Sequence, residues 1–309
     1  MAKFTVVKLR IFVFAIMTGA GSNRWGSGDP TMYFKLELNI VKSRPCFSAL
    51  GVVLATLLLG GAVAIGAESD SGWQLEMSSK RLSVCIWPDY RGVSFRDPRS
   101  GVLSGIDIDL AKAFAADLGK ELVFVDSSFA RLVEDVQQSR CDVAMFAVGI
   151  TPERQRFLHF SAPYMASDIY AIALRNQMRI RRWEDIDQAQ IVVAVARGTL
   201  HEAWMPRVMH QARMVVLDSP SAREQEVRSG RADVFLTDYP FGVHLVREAG
   251  WAQLIAAPGP MNVTPYAYAS SPERPRWGAR IDRFVADIKK DGRLRAAAVA
   301  HGLEAIIQP

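Results

Sequence analysis

The chain has 309 residues, with 37 lysine and arginine residues against 32 aspartate and glutamate residues, and its formal net charge is +5. Half of it is apolar and 22% is charged, which excludes an intrinsically disordered chain, and three cysteines exclude a disulfide-dense scaffold. The length allows one large domain or two of ordinary size. A pI near 9.2 is typical of proteins that bind nucleic acid or an anionic membrane.

The basic excess lies entirely at the N-terminus. Residues 1–67 hold seven basic and two acidic residues, so residues 68–309 hold 30 of each sign. No basic stripe with interleaved aromatic residues occurs in the remaining chain. The composition therefore gives no support to a nucleic-acid partner.

The N-terminal segment ends in an uncharged apolar run, residues 47–66, which follows Lys42 and Arg44. A basic flank, an apolar stretch and small residues at its end are typical of an export signal, with cleavage at Ala-Val-Ala (residues 62–64) or after Ala67. An uncleaved membrane anchor is the alternative, because about 20 apolar residues can span a bilayer. We expect cleavage and a periplasmic location.

A second, shorter apolar run lies further upstream, at residues 11–20. Two signal-like runs in tandem are unusual, so translation from Met32 is an alternative that would leave residues 1–31 untranslated. Export leaves Cys85 and Cys141 in the working protein. Either they pair in an oxidising compartment or they remain buried thiols; we expect buried thiols, because both lie in apolar strand-like segments.

From residue 81 the chain alternates strands and helices. Strand-like apolar runs occupy residues 82–87, 121–125 and 142–146, and apolar residues at helical spacing lie between them, with Gly119 ending the first helix. This βαβαβ order predicts a parallel sheet with helices packed on it.

The same order returns in strand-like runs at residues 191–195, 214–217 and 233–237, which predicts a second α/β lobe. Extended segments at residues 169–174 and 266–269 lie before and after it. If the final helices return to the first lobe, the chain crosses twice between lobes. Such a two-strand hinge is the geometry of a cleft that closes on a ligand.

The predicted organisation has four parts. They are a signal or anchor segment (residues 1–67), a linker (68–80), a first lobe (81–170 with 265–309) and a second lobe (171–264).

The first candidate ligand site follows the third strand-like run. Gly149 leads to Thr151, a good N-cap, and to Pro152, which suits the first helical position. Free N–H groups at a helix start attract anions, and Arg154 adds a fork for a carboxylate. The alternative is an ordinary capped helix with a solvated arginine.

Similar features occur in the second lobe. Gly198 and Thr199 follow a strand-like run, where a glycine lets a ligand approach the backbone and a threonine can cap or donate. Asp238 ends another strand, where a carboxylate could receive an ammonium group. The alternatives are a routine strand-to-helix turn for the first pair and a helix-capping role for Asp238.

Three aromatic residues, Trp87, Tyr90 and Phe129, follow the first two strands of the first lobe. Aromatic side chains at a cleft mouth can flank a ligand, and packing in the core is the alternative. The motifs of redox, zinc-peptidase, phosphate-loop, dinucleotide-binding and serine-hydrolase sites are absent, and the five histidines lack metal-ligand spacing. We therefore predict no cofactor and no metal.

In these motifs the chain resembles bacterial periplasmic solute-binding proteins of the amino-acid type, family 3, which serve ABC importers. The resemblance implies a type II two-lobed periplasmic-binding-protein fold, each lobe a mainly parallel sheet flanked by helices, with two hinge strands. The matching stretches run in the family's order and spacing at residues 105–110, 142–144, 149–154, 160–164, 198–199 and 232–238.

The resemblance also implies roles for the candidate residues. Arg154 matches the arginine that holds the ligand's α-carboxylate, and Asp238 matches the acid that binds its α-amino group. Gly149 matches the position whose backbone helps to hold the carboxylate, and Thr199 lies near the position of a second-lobe hydroxyl. Tyr90 and Phe129 match aromatic residues that flank the ligand side chain. Trp87 lies near where binders of basic amino acids place an acid.

The chain departs from the family at several positions. Ala147 and Gly149 replace common hydroxyl residues, and Leu200 replaces another. The first two replacements remove donors to a carboxylate, and Trp87, near the position of the acid in binders of basic amino acids, disfavours a lysine or arginine ligand. A neutral or apolar amino acid, or another small carboxylate, fits better. The partners implied are this ligand and a membrane permease, and we expect a non-catalytic monomer.

Two other functions stay open. The fold is similar to that of periplasmic cyclohexadienyl dehydratases, which eliminate water and carbon dioxide from prephenate or arogenate. The general acid of these enzymes lies a few residues after a Thr-Asp pair that matches Thr237 and Asp238 here. Residues 239–242 of this chain are Tyr-Pro-Phe-Gly and contain no glutamate. A sensory or accessory binding module is the third alternative.

Overall fold

The structure is a computed structural model that describes residues 6–11, 36–41 and 78–309. Its chain divides into two compact units, Met1–Ser69 and Asp70–Pro309. The predicted apolar run, both predicted cleavage sites and the alternative start lie outside the described residues. Among the described residues, no helix combines the length and the apolar character that a membrane crossing requires.

The first unit contains a strand pair, β1 (Val6–Ile11) antiparallel to β2 (Leu36–Val41). All further elements belong to the second unit. Its strands are β3 (Arg81–Ile86), β4 (Asp89–Tyr90), β5 (Ser94–Arg96), β6 (Leu103–Ser104), β7 (Glu121–Asp126), β8 (Val143–Gly149), β9 (His159–Phe160), β10 (Met165–Ser167), β11 (Ile169–Leu174), β12 (Val192–Ala196), β13 (Arg213–Leu217), β14 (Val234–Asp238), β15 (Ala252–Ala256) and β16 (Thr264–Ser270).

The helices of the second unit alternate with these strands. They are α1 (Ile106–Leu118), α2 (Leu132–Gln137), α3 (Pro152–Gln155), α4 (Leu200–Trp204), α5 (Pro220–Arg228), α6 (Tyr239–Glu248), α7 (Pro275–Lys290) and α8 (Arg293–Ala300).

Two sheets organise the second unit. The first has the strand order β10-β16-β8-β3-β7, with β9 also against β16, and the second has the order β13-β12-β14-β11-β15. In each sheet three strands are parallel, as the βαβαβ patterns predict: β7-β3-β8 in the first and β13-β12-β14 in the second. The remaining strands pair antiparallel, so both sheets are mixed.

The chain passes from the first sheet to the second between β10 and β11, and it returns between β15 and β16. The C-terminal helices then pack on the first sheet. Ile281, Phe284, Val285 and Ile288 form the buried face of α7, as their spacing predicts, and the ring centre of Phe284 lies 4.5 Å from that of Phe114 on α1. We call the first sheet with its helices the first lobe and the second sheet with its helices the second lobe.

The two cysteines of the second unit are joined, and the expectation of buried thiols was wrong. Cys85 on β3 and Cys141, two residues before β8, form a disulfide with a Cα–Cα distance of 5.5 Å. The two strands are parallel neighbours, with Cys85 opposite Ala144. Both side chains are buried, as expected, but adjacent strands bring them within bonding reach.

Candidate functional site

A cleft lies between the carboxyl ends of the parallel strands of the two lobes. It encloses about 360 Å³, counting the space at its open mouth. Parallel α/β sheets bind ligands at this edge. The seven predicted ligand residues all line it: Trp87, Tyr90, Phe129, Gly149, Arg154, Thr199 and Asp238. Six further residues line it: Ala147, Leu200, His201, Arg223, Thr237 and Tyr266.

Arg154 reaches the cleft from α3. Thr151 caps this helix as predicted, because its hydroxyl accepts from the Arg154 backbone N–H at 3.2 Å. The guanidinium donates from Nη1 to the Gly149 carbonyl and from Nη2 to the Gly198 carbonyl, both at 3.0 Å. It also lies 5.2 Å from the ring centre of Phe129. Burial lowers the pKa of Arg154 to about 10, so the side chain stays cationic at neutral pH.

A bulge in β8 shapes the floor beside Arg154. The pairing of β8 with β16 shifts register here, and Ala147 has a φ of +49°, a left-handed conformation that is uncommon for alanine. The Ala147 backbone N–H donates to Asp107 Oδ2 at 2.8 Å, and the hydroxyls of Tyr164 and Tyr268 donate to the same carboxylate. Burial raises the pKa of Asp107 to about 6 although these hydrogen bonds oppose the shift. Asp107 thus fixes the backbone that leads to the arginine.

Asp238 ends β14 and faces the cleft from the second lobe. Its carboxylate caps α6 by accepting from the Phe241 N–H at 3.3 Å, so the capping role is present as well. It also accepts from the Tyr266 hydroxyl at 2.8 Å and from the Tyr90 hydroxyl. Burial raises the pKa of Asp238, and the hydrogen bonds from Tyr90 and Tyr266 are the main opposing effect. Because Tyr90 belongs to the first lobe, this carboxylate joins the two lobes.

Gly198 and Thr199 form the strand-to-helix turn at the second-lobe edge. The Thr199 hydroxyl donates to the Ala196 carbonyl at 2.6 Å, and the residue makes no side-chain cap of α4. Gly198 has a φ of +75°, and a β-carbon there would lie 2.4 Å from the Ala130 backbone nitrogen. Glycine therefore allows the second lobe to approach the backbone of the first closely.

The three predicted aromatic residues form one wall of the cleft. Trp87, Tyr90 and Phe129 meet edge to face, with ring centres 4.9 to 5.9 Å apart. Trp87 and Tyr90 are nearly buried, and Phe129 also packs against Phe146. Both interpretations from the sequence thus apply, because the cluster belongs to the core and lines the cleft.

Arg223 and His201 were not predicted as ligand residues. Arg223 is 2% exposed, and Pro220, Arg223 and Val227 form the buried face of α5, a position that helical spacing could have revealed. His201 is 8% exposed on α4. Burial, with the charge of Arg223 adding to it, lowers the pKa of His201 to about 3, so the imidazole is neutral at neutral pH.

The described residues do not form a candidate metal site. Within the described residues, no cluster of three or more histidine, cysteine, aspartate or glutamate side chains could hold a metal ion. Asp238 and His201 are the residues of these four types in the cleft lining.

Comparison with known proteins agrees with this architecture. The family model described as bacterial extracellular solute-binding proteins, family 3, matches residues 82–301. A cyclohexadienyl dehydratase of Pseudomonas aeruginosa is 32% identical over 193 residues, which cover 62% of this chain and 71% of that protein. The L-cystine-binding protein TcyJ of Escherichia coli (strain K12) is 26% identical over 255 residues, which cover 80% of this chain and 92% of that protein.

A solved structure shows the same fold. The ancestral amino acid-binding protein AncCDT-1, a precursor of cyclohexadienyl dehydratase, superposes with a TM-score of 0.67 at 28% identity, covering 75% of this chain and 98% of that one. The predicted type II two-lobed fold is therefore confirmed. Two α/β lobes around a cleft define the class as a two-lobed binding protein. More narrowly, the chain belongs to the bacterial extracellular solute-binding proteins of family 3.

Proposed function

We propose that this protein captures a small ligand of the α-amino acid type in its interlobe cleft and delivers it to the membrane permease of an ABC importer. The observation that carries the proposal is the position of Arg154 and Asp238, which reach one cleft from opposite lobes. A cationic fork and a carboxylate complement the two charged groups that every α-amino acid carries. The periplasm, reached through the N-terminal signal, is the proposed location.

Each group of the ligand has a proposed partner. The α-carboxylate binds Arg154, two of whose five N–H groups are used by Gly149 and Gly198 within the described residues. The ammonium group binds Asp238. The ligand's remaining part lies against the aromatic wall of Trp87 and its neighbours, which excludes water from the charged contacts.

Isothermal titration calorimetry against the standard amino acids and small carboxylates tests this function. We expect at least one compound to bind, and Arg154→Ala to weaken its binding by roughly 100-fold, because Asp238 cannot replace the lost carboxylate contact. Arg156→Ala is the matched control, since Arg156 is an exposed arginine two residues away. Failure of the whole panel to bind, or equal effects of the two variants, would contradict the proposal.

A catalytic alternative rests on the 32% identity to a cyclohexadienyl dehydratase. Elimination of water and carbon dioxide from prephenate requires a general acid in the cleft. Asp238 is the one carboxyl group in the lining, and burial raises its pKa, which favours a protonated acid. Incubation of the purified protein with prephenate decides: phenylpyruvate formation that is lost in Asp238→Asn supports an enzyme, and its absence supports capture alone.

A further inference from the structure

Arg223 places a second cation in the cleft wall. It lines the same cleft as Arg154 and is 2% exposed. In the part of the chain that the structure describes, no carboxylate forms an ion pair with its guanidinium. A buried cation that lacks a paired anion is costly, because it gives up hydration without a compensating charge.

The surroundings of Arg223 hold its guanidinium in place without neutralising it. The group lies against the rings of Phe235 and Phe241, 4.8 and 4.5 Å from their centres. Nη1 donates to the Leu236 carbonyl at 2.6 Å, and Nη2 lies 3.5 Å from the Thr237 hydroxyl, which is the outer limit of a hydrogen bond. The remaining nitrogen, Nε, is buried and has no partner. Packing therefore fixes the guanidinium in the cleft wall and leaves Nε unpaired.

His201 lines the same wall but adds no cation to it, because its imidazole is neutral. The residue is 8% exposed, and its Nδ1 is buried without a hydrogen-bond partner. The one N–H of the neutral ring is engaged by the backbone of Thr237, so Nδ1 is an acceptor and does not bind an anion. Unsatisfied buried polar atoms are rare in folded proteins, so the unpaired Nε of Arg223 points to a ligand group that accepts from it.

Asp238 is the carboxylate that attracts Arg223 most, but it lies beyond ion-pair distance and accepts from Tyr90 and Tyr266. Of the weaker two, Glu224 forms an ion pair with Arg91, and Asp89 forms none with Arg223.

The charges of the lining are unequal. Arg154 and Arg223 are cationic, and Asp238 is the one acidic residue. An α-amino acid with an uncharged side chain pairs with Arg154 and Asp238 and leaves Arg223 unpaired. A ligand with a cationic side chain also leaves Arg223 unpaired, and its positive charge is repelled by that arginine. A second anionic group on the ligand balances all three charges.

We propose that Arg223 binds a second acidic group of the ligand, so that the cleft selects a small molecule with two carboxylates. This inference rests on the proposed function and adds a second carboxylate to its ligand, which is then an acidic α-amino acid or a dicarboxylic acid. It differs from the neutral or apolar amino acid expected from the sequence. Both kinds of ligand carry the second carboxylate, and the acidic α-amino acids differ from the dicarboxylic acids by their amino group.

The first experiment uses the unaltered protein and matched ligand pairs in isothermal titration calorimetry. The pairs are L-glutamate with L-glutamine, L-aspartate with L-asparagine, and each acidic amino acid with its counterpart without the amino group, glutarate or succinate. We expect an acidic compound to bind roughly 10- to 100-fold tighter than its amide, because a charge-assisted hydrogen bond replaces a neutral one. The last pairs show whether the amino group is required.

The second experiment compares Arg223→Gln with Arg228→Gln, titrated with the acidic compound that binds the unaltered protein most tightly. Both changes remove one positive charge from α5, but Arg228 is exposed. We expect the Arg223 variant to lose the preference for the acid over its amide and the Arg228 variant to keep it. Circular dichroism verifies folding, and if Arg223→Gln does not fold, the matched pairs on the unaltered protein decide alone.

Three results overturn the inference. Equal or tighter binding of the amide in each pair overturns it while leaving the proposed function intact. Tightest binding of a cationic amino acid does the same. Failure of these six compounds, when another amino acid binds, overturns the inference alone. Failure of the whole panel of standard amino acids and small carboxylates overturns the proposed function as well.

Discussion

Asp238 and Arg154 are each engaged within the protein and yet retain capacity for a ligand. A carboxylate offers about four acceptor sites, and Asp238 uses three, for Phe241 and for the hydroxyls of Tyr90 and Tyr266. Arg154 uses two of its five N–H groups on backbone carbonyls. Both side chains are therefore fixed in position by the fold, and a ligand can add contacts without displacing the existing ones, which lowers the entropy lost on binding.

His201 makes the stability of the protein depend on pH. Its folded pKa of about 3 lies below the ordinary value of 6.5, so between these values the unfolded chain binds a proton that the native protein excludes. Stability must then fall as the pH falls. We expect this one group to remove about 2 kcal/mol of unfolding free energy between pH 7 and pH 5, measured by urea unfolding.

The matched variants for this prediction are His201→Gln and His210→Gln. His210 is an exposed histidine nine residues away, so its removal should leave the difference between the two pH values as in the unaltered protein. His201→Gln should reduce that difference by about the same 2 kcal/mol. An unchanged difference in His201→Gln would show that the ring titrates normally in the native state.

At the scale of elements, the residue types at a helix end and the spacing of apolar residues predict helix boundaries and buried faces. Gly119 ends α1 in a left-handed conformation, and Thr151 caps α3, because these residue types satisfy free backbone groups wherever a helix begins or ends. Periodicity likewise predicts the buried face of α7. The seven proposed ligand residues lie in one cleft because the ends of the parallel strands share an edge in each sheet, and both edges face the cleft.

What the sequence could not predict depends on contacts between distant segments. The bond between Cys85 and Cys141 requires β3 and β8 to be neighbours in one register, and an apolar strand pattern suits a buried thiol equally well. The position of Arg223 depends on the faces of Phe235 and Phe241, which come from another strand and helix. The spacing of Pro220, Arg223 and Val227 indicates a buried face of α5, but it does not indicate which groups the guanidinium contacts.

Thr151 gives a test at the scale of the helix start. Its hydroxyl is the acceptor for the Arg154 N–H, so Thr151→Ala removes the cap of a helix with only four residues. We expect a loss of about 1 kcal/mol in urea unfolding, because this is the usual cost of replacing a threonine cap by alanine. Thr151→Ser keeps the hydroxyl and should retain most of the stability. Equal losses in the two variants would assign the effect to the methyl group instead of the cap.

At the scale of the whole second unit, contacts between the lobes hold the cleft closed. Arg154 donates to Gly198, Tyr90 donates to Asp238, and Arg91 forms an ion pair with Glu224 at 3.7 Å. Each contact joins a residue of the first lobe to one of the second. Because the chain crosses between the lobes twice, hinge closure around a ligand is the motion that this architecture permits.

Gly198 provides the test of closure. A β-carbon there would lie 2.4 Å from the Ala130 nitrogen and 2.7 Å from the Phe129 carbonyl carbon, and neither backbone atom can rotate away. Gly198→Ala should therefore hold the lobes apart. We expect it to weaken binding of the tightest compound of the titration panel by at least about tenfold, since the closed-state contacts above are lost. In small-angle X-ray scattering, the decrease in radius of gyration on adding that compound should disappear.

The control for this prediction is Gly230→Ala. Gly230 lies in the same lobe with nearly the same φ, +74° against +75°, but nothing lies within 4 Å of its added β-carbon. Both variants carry the left-handed strain of about 1–2 kcal/mol, and only Gly198→Ala adds the collision between lobes. Normal binding and compaction in Gly230→Ala would assign the defect of Gly198→Ala to closure. If Gly198→Ala also binds and compacts normally, the close approach of Gly198 to Ala130 is not required for capture.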